Sequence, residues 1–180
     1  NTAVGNGALY GTSTGSNNAA VGNLALASNT TGEYNVAVGA TAADAISTGS
    51  LNTAVGYNTL GVATTASNNT ALGAQALALT TSGANNTAVG MNAMVQNTTG
   101  GTNVAIGAFT LDANTTASDN TGVGYAVLSA NTTGDNNTGV GVNSLQANTT
   151  ASDNTAVGRN SLIANTTGDS NTAFGSRSLD

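Results

Sequence analysis

Asn103-Val104-Ala105-Ile106-Gly107 is one copy of a pentapeptide that recurs from Asn1-Thr2-Ala3-Val4-Gly5 to Asn171-Thr172-Ala173-Phe174-Gly175. Its closing glycines are Gly5, Gly22, Gly39, Gly56, Gly73, Gly90, Gly107, Gly124, Gly141, Gly158 and Gly175, every step being 17 residues with no insertion or deletion. A fixed period in this range is the mark of a stacked architecture, in which each repeat is one coil that buries its apolar side chains against its neighbours. The 180 residues make ten full coils over 1–170 and a partial eleventh over 171–180. We therefore read 1–180 as a single repeat solenoid. Because no atypical capping coil closes either end, the expectation is a segment of a longer fibre, or ends that meet other subunits.

Numbering each coil from its Asn, position one is Asn1, Asn18, Asn35, Asn52, Asn69, Asn86, Asn103, Asn120, Asn137, Asn154 and Asn171. Stacked amides at one level of successive coils are expected to form a hydrogen-bonded ladder. Positions two to four are Thr-Ala-Val or close variants and read as a short strand, since β-branched residues favour the pleat. The glycine at position five closes that strand, where a positive φ or close backbone approach would exclude a Cβ. Alternation puts positions two and four on one face and position three on the other. The row Val4, Val21, Val38, Val55, Leu72, Val89, Ile106, Val123, Val140, Val157 and Phe174 is expected to be buried. A strand apolar on both faces is buried on both. The thin interior of one coil covers only one face, so the other requires a second chain.

Position nine is Leu except at Ala43 and Met94, position eleven is mostly small, and position ten between them varies. That alternation predicts a second strand, with a buried row running from Leu9 to Leu179. Asn-Thr-Thr-Gly or Asn-Thr-Thr-Ala then supplies the second turn, where Asn and Thr side chains bond to nearby backbone. The predicted class is all-β, a parallel β-solenoid or β-roll of two-strand coils stacked at roughly 4.8 Å. A three-sided hexapeptide helix is the alternative; disorder, which low charge and abundant polar residues would otherwise suggest, does not keep a strict apolar register.

Composition narrows function. The chain has no Pro, Cys, Trp, Lys or His; its two cations are Arg159 and Arg177, and its net charge is -6. Nothing in it neutralises a row of phosphates or grips an anionic membrane, so neither nucleic acid nor membrane is an expected partner of this segment. No His or Lys is present to activate the many Ser and Thr hydroxyls, and the acids sit at variable polar positions rather than in an apolar cleft. We expect no catalytic residue, cofactor or metal site. Asp119, Asp135, Asp153 and Asp169 line one edge of four successive coils, which reads as a solvated edge ahead of a weak calcium site. Gly122-Val123-Gly124 and Gly139-Val140-Gly141 open no predicted helix and so are not a phosphate loop.

Asn103-Val104-Ala105-Ile106-Gly107 and Asn35-Val36-Ala37-Val38-Gly39 resemble the N-S-V-A-I-G motif of YadA-like trimeric autotransporter adhesin heads. The wider pattern, through Leu to Asn-Thr-Thr-Gly, is similar to related repeats of bacterial surface fibres and phage tail fibres, and it covers all eleven coils. The resemblance implies a left-handed trimeric roll outside the cell, on a cell surface or virion, with the Val-bearing strand towards the three-fold axis and a role in adhesion. The period is longer than the usual head coil and Thr mostly replaces the first Val, which implies a wider turn and a wetter interface.

The expected partners are thus further copies of the chain, as a homotrimer or an end-to-end filament, and a host-surface protein or glycan. Tyr57 and Tyr125, both at position six, are the candidate ligand surface, against the plainer reading of scattered surface rings. Asn29, Asn97, Asn114, Asn131, Asn148 and Asn165 fit the N-glycosylation acceptor, as do Asn68, Asn85 and Asn136, against the plainer reading of turn composition. Three function classes remain open: a structural and adhesive fibre segment, a purely structural self-assembling filament, and an ice- or glycan-binding solenoid suggested by the Thr row at position fourteen.

Overall fold

A computed structural model describes all residues, Asn1–Asp180. The chain is an all-β solenoid with a single sheet of eleven strands: β1 (Thr2–Val4), β2 (Ala19–Val21), β3 (Val36–Val38), β4 (Thr53–Val55), β5 (Thr70–Leu72), β6 (Thr87–Val89), β7 (Val104–Ile106), β8 (Thr121–Val123), β9 (Thr138–Val140), β10 (Thr155–Val157) and β11 (Thr172–Phe174). The strands lie side by side in chain order. Each pairs in parallel with the next at an offset of one coil, as in Thr2↔Ala19, Ala3↔Ala20 and Val4↔Val21.

The coil contains one strand, not two. The stretch expected to be a second strand is a run of overlapping turns. Leu24 and Leu26, like their equivalents in every other full coil from the second onwards, have positive φ (57° and 50°), while the residues between them do not. The N–H groups of Ala27 and Asn29 donate to the carbonyls of Leu24 (3.2 Å) and Leu26 (3.3 Å) within the coil. Those of Leu26 and Ser28 donate instead to Ala42 (3.0 Å) and Asp44 (2.9 Å) of the next coil. A left-handed leucine costs about 1–2 kcal/mol. The return is that Leu26 is carried fully inside and the backbone of this side still bonds from coil to coil. Of 116 backbone hydrogen bonds only 20 lie within the strands, so the turns hold most of the stack together.

The core is correspondingly thin. Ala20, Ala37, Ala54 and their equivalents point inward from the strands and meet the row of Leu26, Leu60, Leu77, Met94, Leu111, Leu128 and Leu145, all fully buried. Position eight joins them through Ala25, Ala42, Ala76, Ala93 and Val127. Position eleven does not; Ala45, Ala113, Ala130 and Ala147 are half-buried and Ala164 is exposed. Position twelve turns inward in its place, with Ile46, Ala63, Thr80 and five asparagines buried there.

The Val row is not part of the single-chain core, as expected of a row that needs a second chain to cover it. It faces away from the core: Val4, Val21, Val38, Leu72, Ile106 and Phe174 are exposed, and Val55, Val89, Val123, Val140 and Val157 are half-buried. Within one chain only position three of the strand can reach the interior, because the coil has one inside. In the Leu row, Leu9 is half-buried and Leu179 exposed, both belonging to end coils.

Interior volume is matched between coils. Gly122 and Gly139 replace the usual strand Ala. A Cβ on Gly122 would stand 2.6 Å from Thr110 Cγ2, and one on Gly139 would stand 2.5 Å from Val127 Cγ1. Both neighbours occupy position eight of the preceding coil, where most other coils carry the smaller Ala or Ser. The glycines make room for the larger side chains.

Candidate functional site

The outer face of the sheet is the one extended feature that the core does not use. It is two side chains wide. Position two supplies mostly Thr, with Ala19, Val36 and Val104, and position four supplies the Val row; neither position carries a charge in any coil. Eleven strands at about 4.8 Å spacing give a strip about 48 Å long, and three residues at about 3.3 Å give a width near 10 Å. The resulting ~500 Å² lies in the upper half of the range for the largest apolar patch of a soluble monomer.

Two structures flank and fix this face. At its entrance stands the position-one asparagine. The Asn35 N–H donates to Asn18 Oδ1 (2.9 Å), while Asn35 Nδ2 donates to the Gly49 carbonyl (2.8 Å) near the end of its own coil. The same pair of bonds recurs from Asn18 to Asn137, so each amide links two coils and also clips its own coil shut. Asn1, at the first coil, clips to Gly15 and accepts from the Asn18 N–H, and Asn171 bonds back to Asn154 Oδ1 (3.1 Å). At the exit stands the glycine row, with φ between 122° and 140°. A Cβ at Gly141 would sit 2.7 Å from the carbonyl carbon and oxygen of Gly158 in the next coil. Both the backbone angle and the coil spacing therefore require glycine.

A second asparagine ladder runs inside the solenoid at position twelve. Asn114 Nδ2 donates to Asn97 Oδ1 (2.9 Å), Asn131 to Asn114 (3.2 Å), Asn148 to Asn131 (3.0 Å) and Asn165 to Asn148 (3.1 Å). Each also donates to the carbonyl three residues on, as Asn131 does to Gly134 (3.0 Å). This corrects the expectation that Asn29, Asn97, Asn114, Asn131, Asn148 and Asn165 present glycosylation nitrogens. The first five are fully buried and Asn165 is half-buried, and a sugar on such a nitrogen has no place in the folded coil. Asn68, Asn85 and Asn136 are exposed at position seventeen. The spacing of position twelve, 17 residues like everything else, held no sign that it points inward; the inward turn follows from the left-handed residue at position nine.

The acidic edge also has a structural part to play. The Ser118 N–H donates to Asp135 Oδ1 (2.7 Å) and the Ser152 N–H to Asp169 Oδ1 (2.7 Å), while the Asp135 N–H donates to Ser152 Oγ (3.0 Å). Ser and Asp at position sixteen are thus interchangeable acceptors in one chain of bonds along the stack. No three acidic side chains converge as a cation would require. Position thirteen forms another such row, in which Thr98, Thr115, Thr132 and Thr149 hydroxyls donate to the carbonyls of Thr115, Thr132, Thr149 and Thr166 (2.9–3.1 Å). Their hydroxyls are committed to the stack, whereas the Thr and Ser82 side chains of position fourteen are exposed in every full coil.

Tyr57 and Tyr125 are both exposed but are not brought together, since four coils at about 4.8 Å separate them by about 19 Å. Tyr125 instead packs edge-on against Phe109, ring centroids 5.9 Å apart at 76°. Phe109 lies one coil earlier at position seven, so the pair joins unlike positions of successive coils, which the repeat itself does not align. Asp44 and Asp112 at position ten are partly buried with one carboxylate oxygen each unpartnered. Burial pushes both above the ordinary carboxylate value, and hydrogen bonds from their own and the following backbone N–H partly offset the rise. The surface holds no pocket, and no helix is present that is long and apolar enough to cross a membrane. No family model matches the chain, and neither a curated protein nor a solved structure matches it.

Proposed function

We propose that this chain is a segment of an extracellular fibre, on a cell surface or a virion, in which copies of the chain pack along the outer faces of their sheets. The observation that carries the reading is the uncharged Thr–Val strip that runs unbroken along all eleven strands on the side away from the core. Two such strips of ~500 Å² each, laid together, cover about 1,000 Å², the least area expected of a biological interface. Resemblance to adhesin-head repeats makes three the number of copies, with the strips converging on one axis. The turns then face outward on a rigid shaft stiffened from within by the buried ladders, and those residues of the variable positions six, seven, ten, sixteen and seventeen that the seam does not use are left for contact with a host-surface protein or glycan.

The test is a double substitution, Val89→Asp with Val123→Asp. Both side chains lie outside the single-chain core, so the coil keeps its fold and its circular dichroism. Buried in an interface, the new carboxylates would be desolvated and unpaired, which costs several kcal/mol each. The variant is expected to sediment as a smaller particle than the parent. A variant that keeps both the parent's mass and its stability overturns the reading.

A further inference from the structure

The strip is bordered by two unlike edges. The chain enters each strand past positions sixteen and seventeen and leaves it past positions six and seven. On β10 the entry edge carries Asp153 and the exit edge carries Arg159; on β11 the entry edge carries Asp169 and the exit edge Arg177. All four side chains are exposed. The only two cations of the molecule therefore stand on successive strands, on one edge, at the same heights as two of its acids on the other edge. Within one chain the partners are held apart by the strand and its flanks, a path of six residues from Asp153 to Arg159, or up to about 20 Å. The Asp153 carboxylate accepts no hydrogen bond inside the chain, whereas Asp169 uses one oxygen on the Ser152 N–H.

From this placement we infer that neighbouring copies associate parallel and in register, with Arg159 of one copy meeting Asp153 of the next, and Arg177 meeting Asp169. The inference rests on the fibre reading and adds the alignment to it. When two copies lie strip to strip with their chains running the same way, the exit edge of one faces the entry edge of the other at every level. Charges then complement one another at β10 and β11. When the copies run in opposite directions, entry edge faces entry edge, and Asp153 and Asp169 meet no cation at all. The apolar strip is nearly uniform along its length and so holds the copies together without fixing their direction. The two arginines supply the direction and the register, which is the use of charge best suited to an interface rim.

The experiment uses Val140→Cys as a reporter on the strip at β9, in a chain that has no cysteine of its own. Copies that are parallel and in register place this position level with itself, and a mild oxidant links them in pairs; antiparallel copies place it against β3. Arg159→Asp is expected to reduce linkage and assembly at low salt, by about five-fold for each ion pair broken, and Asp153→Arg likewise. Combining the two restores complementarity and recovers the parent's linkage. Raising the salt lowers the parent towards the single variants. If the parent sediments as a single chain, the fibre reading itself fails. If it assembles without linking through position 140, or links equally well in all charge variants, the alignment by charge is refuted while the fibre reading stands.

Discussion

Gly90→Ala and Gly175→Ala place the same methyl group at equivalent points of two coils, and the difference between them isolates what coil stacking demands. Both residues have positive φ, 137° and 126°, in a region that L side chains rarely adopt. That strain costs about 1–3 kcal/mol in either variant. At Gly175 the new Cβ would meet only Ser178 Cβ, at 3.9 Å, an ordinary contact. At Gly90 it would meet the carbonyl carbon and oxygen of Gly107 at 2.6 Å, with Ala108 N at 2.9 Å. Relief requires the two coils to part by most of an ångström. The bonds at risk are those that join these two coils, from Thr87 N–H to Asn103 (2.8 Å) and from Gly107 N–H to Val89 (2.7 Å). Overpacking of this kind adds about 1–3 kcal/mol, so Gly90→Ala should cost about twice as much as Gly175→Ala. Because a stacked array opens locally, the appropriate assay is native-state hydrogen exchange at the Gly107 and Thr87 amides, supported by urea unfolding. Equal losses for the two variants would show that backbone angle alone selects glycine, and that the coil-to-coil contact described for this row is not restrictive.

Three further outcomes follow from the interior and its charges. Gly139→Ala should destabilise by about 1–3 kcal/mol through the clash with Val127, and adding Val127→Ala should recover most of it; additive losses in that double-mutant cycle would deny the size matching. Asn131→Ala removes the acceptor of Asn148 and the donor to Asn114, and should cost about 1–3 kcal/mol per group left unpaired, measured by urea unfolding against the exposed control Asn136→Ala, which should be near neutral. Asp112 has a folded value raised above 3.8 by burial, so the protonated acid carries no penalty below that pH, and the carboxylate destabilises increasingly as pH rises from 3.8 through the raised value. Asp112→Asn should therefore raise the melting temperature at pH 7 and leave it unchanged well below pH 3.8; a variant less stable than the parent at pH 7 would reverse the sign assigned to this group.

Much of this architecture is legible in the residues themselves. The recurring Asn and Gly fix the coil length, and the β-branched triplet between them fixes the strand and its parallel neighbours. The failure at position nine has a physical origin. Every-other-residue burial is the mark of a strand, but alternating left- and right-handed residues produce the same alternation, and leucine carries no preference for the left-handed region that would warn of it. Once Leu26 and its equivalents take that conformation, position twelve swings inward and its asparagines become a buried ladder instead of a surface turn. The Val row shows the opposite limit. Its apolar character is plain in the sequence, yet whether a row is covered depends on how many chains are present, and a single coil has only one interior.

The central claim is that the outer strip of the sheet is an interface between copies, and sedimentation equilibrium of the unaltered chain over a range of low micromolar concentrations tests it most directly. The expected result is a folded particle of about three times 17.2 kDa, whose dissociation moves to higher temperature as concentration rises. A folded, concentration-independent species of 17.2 kDa would contradict it.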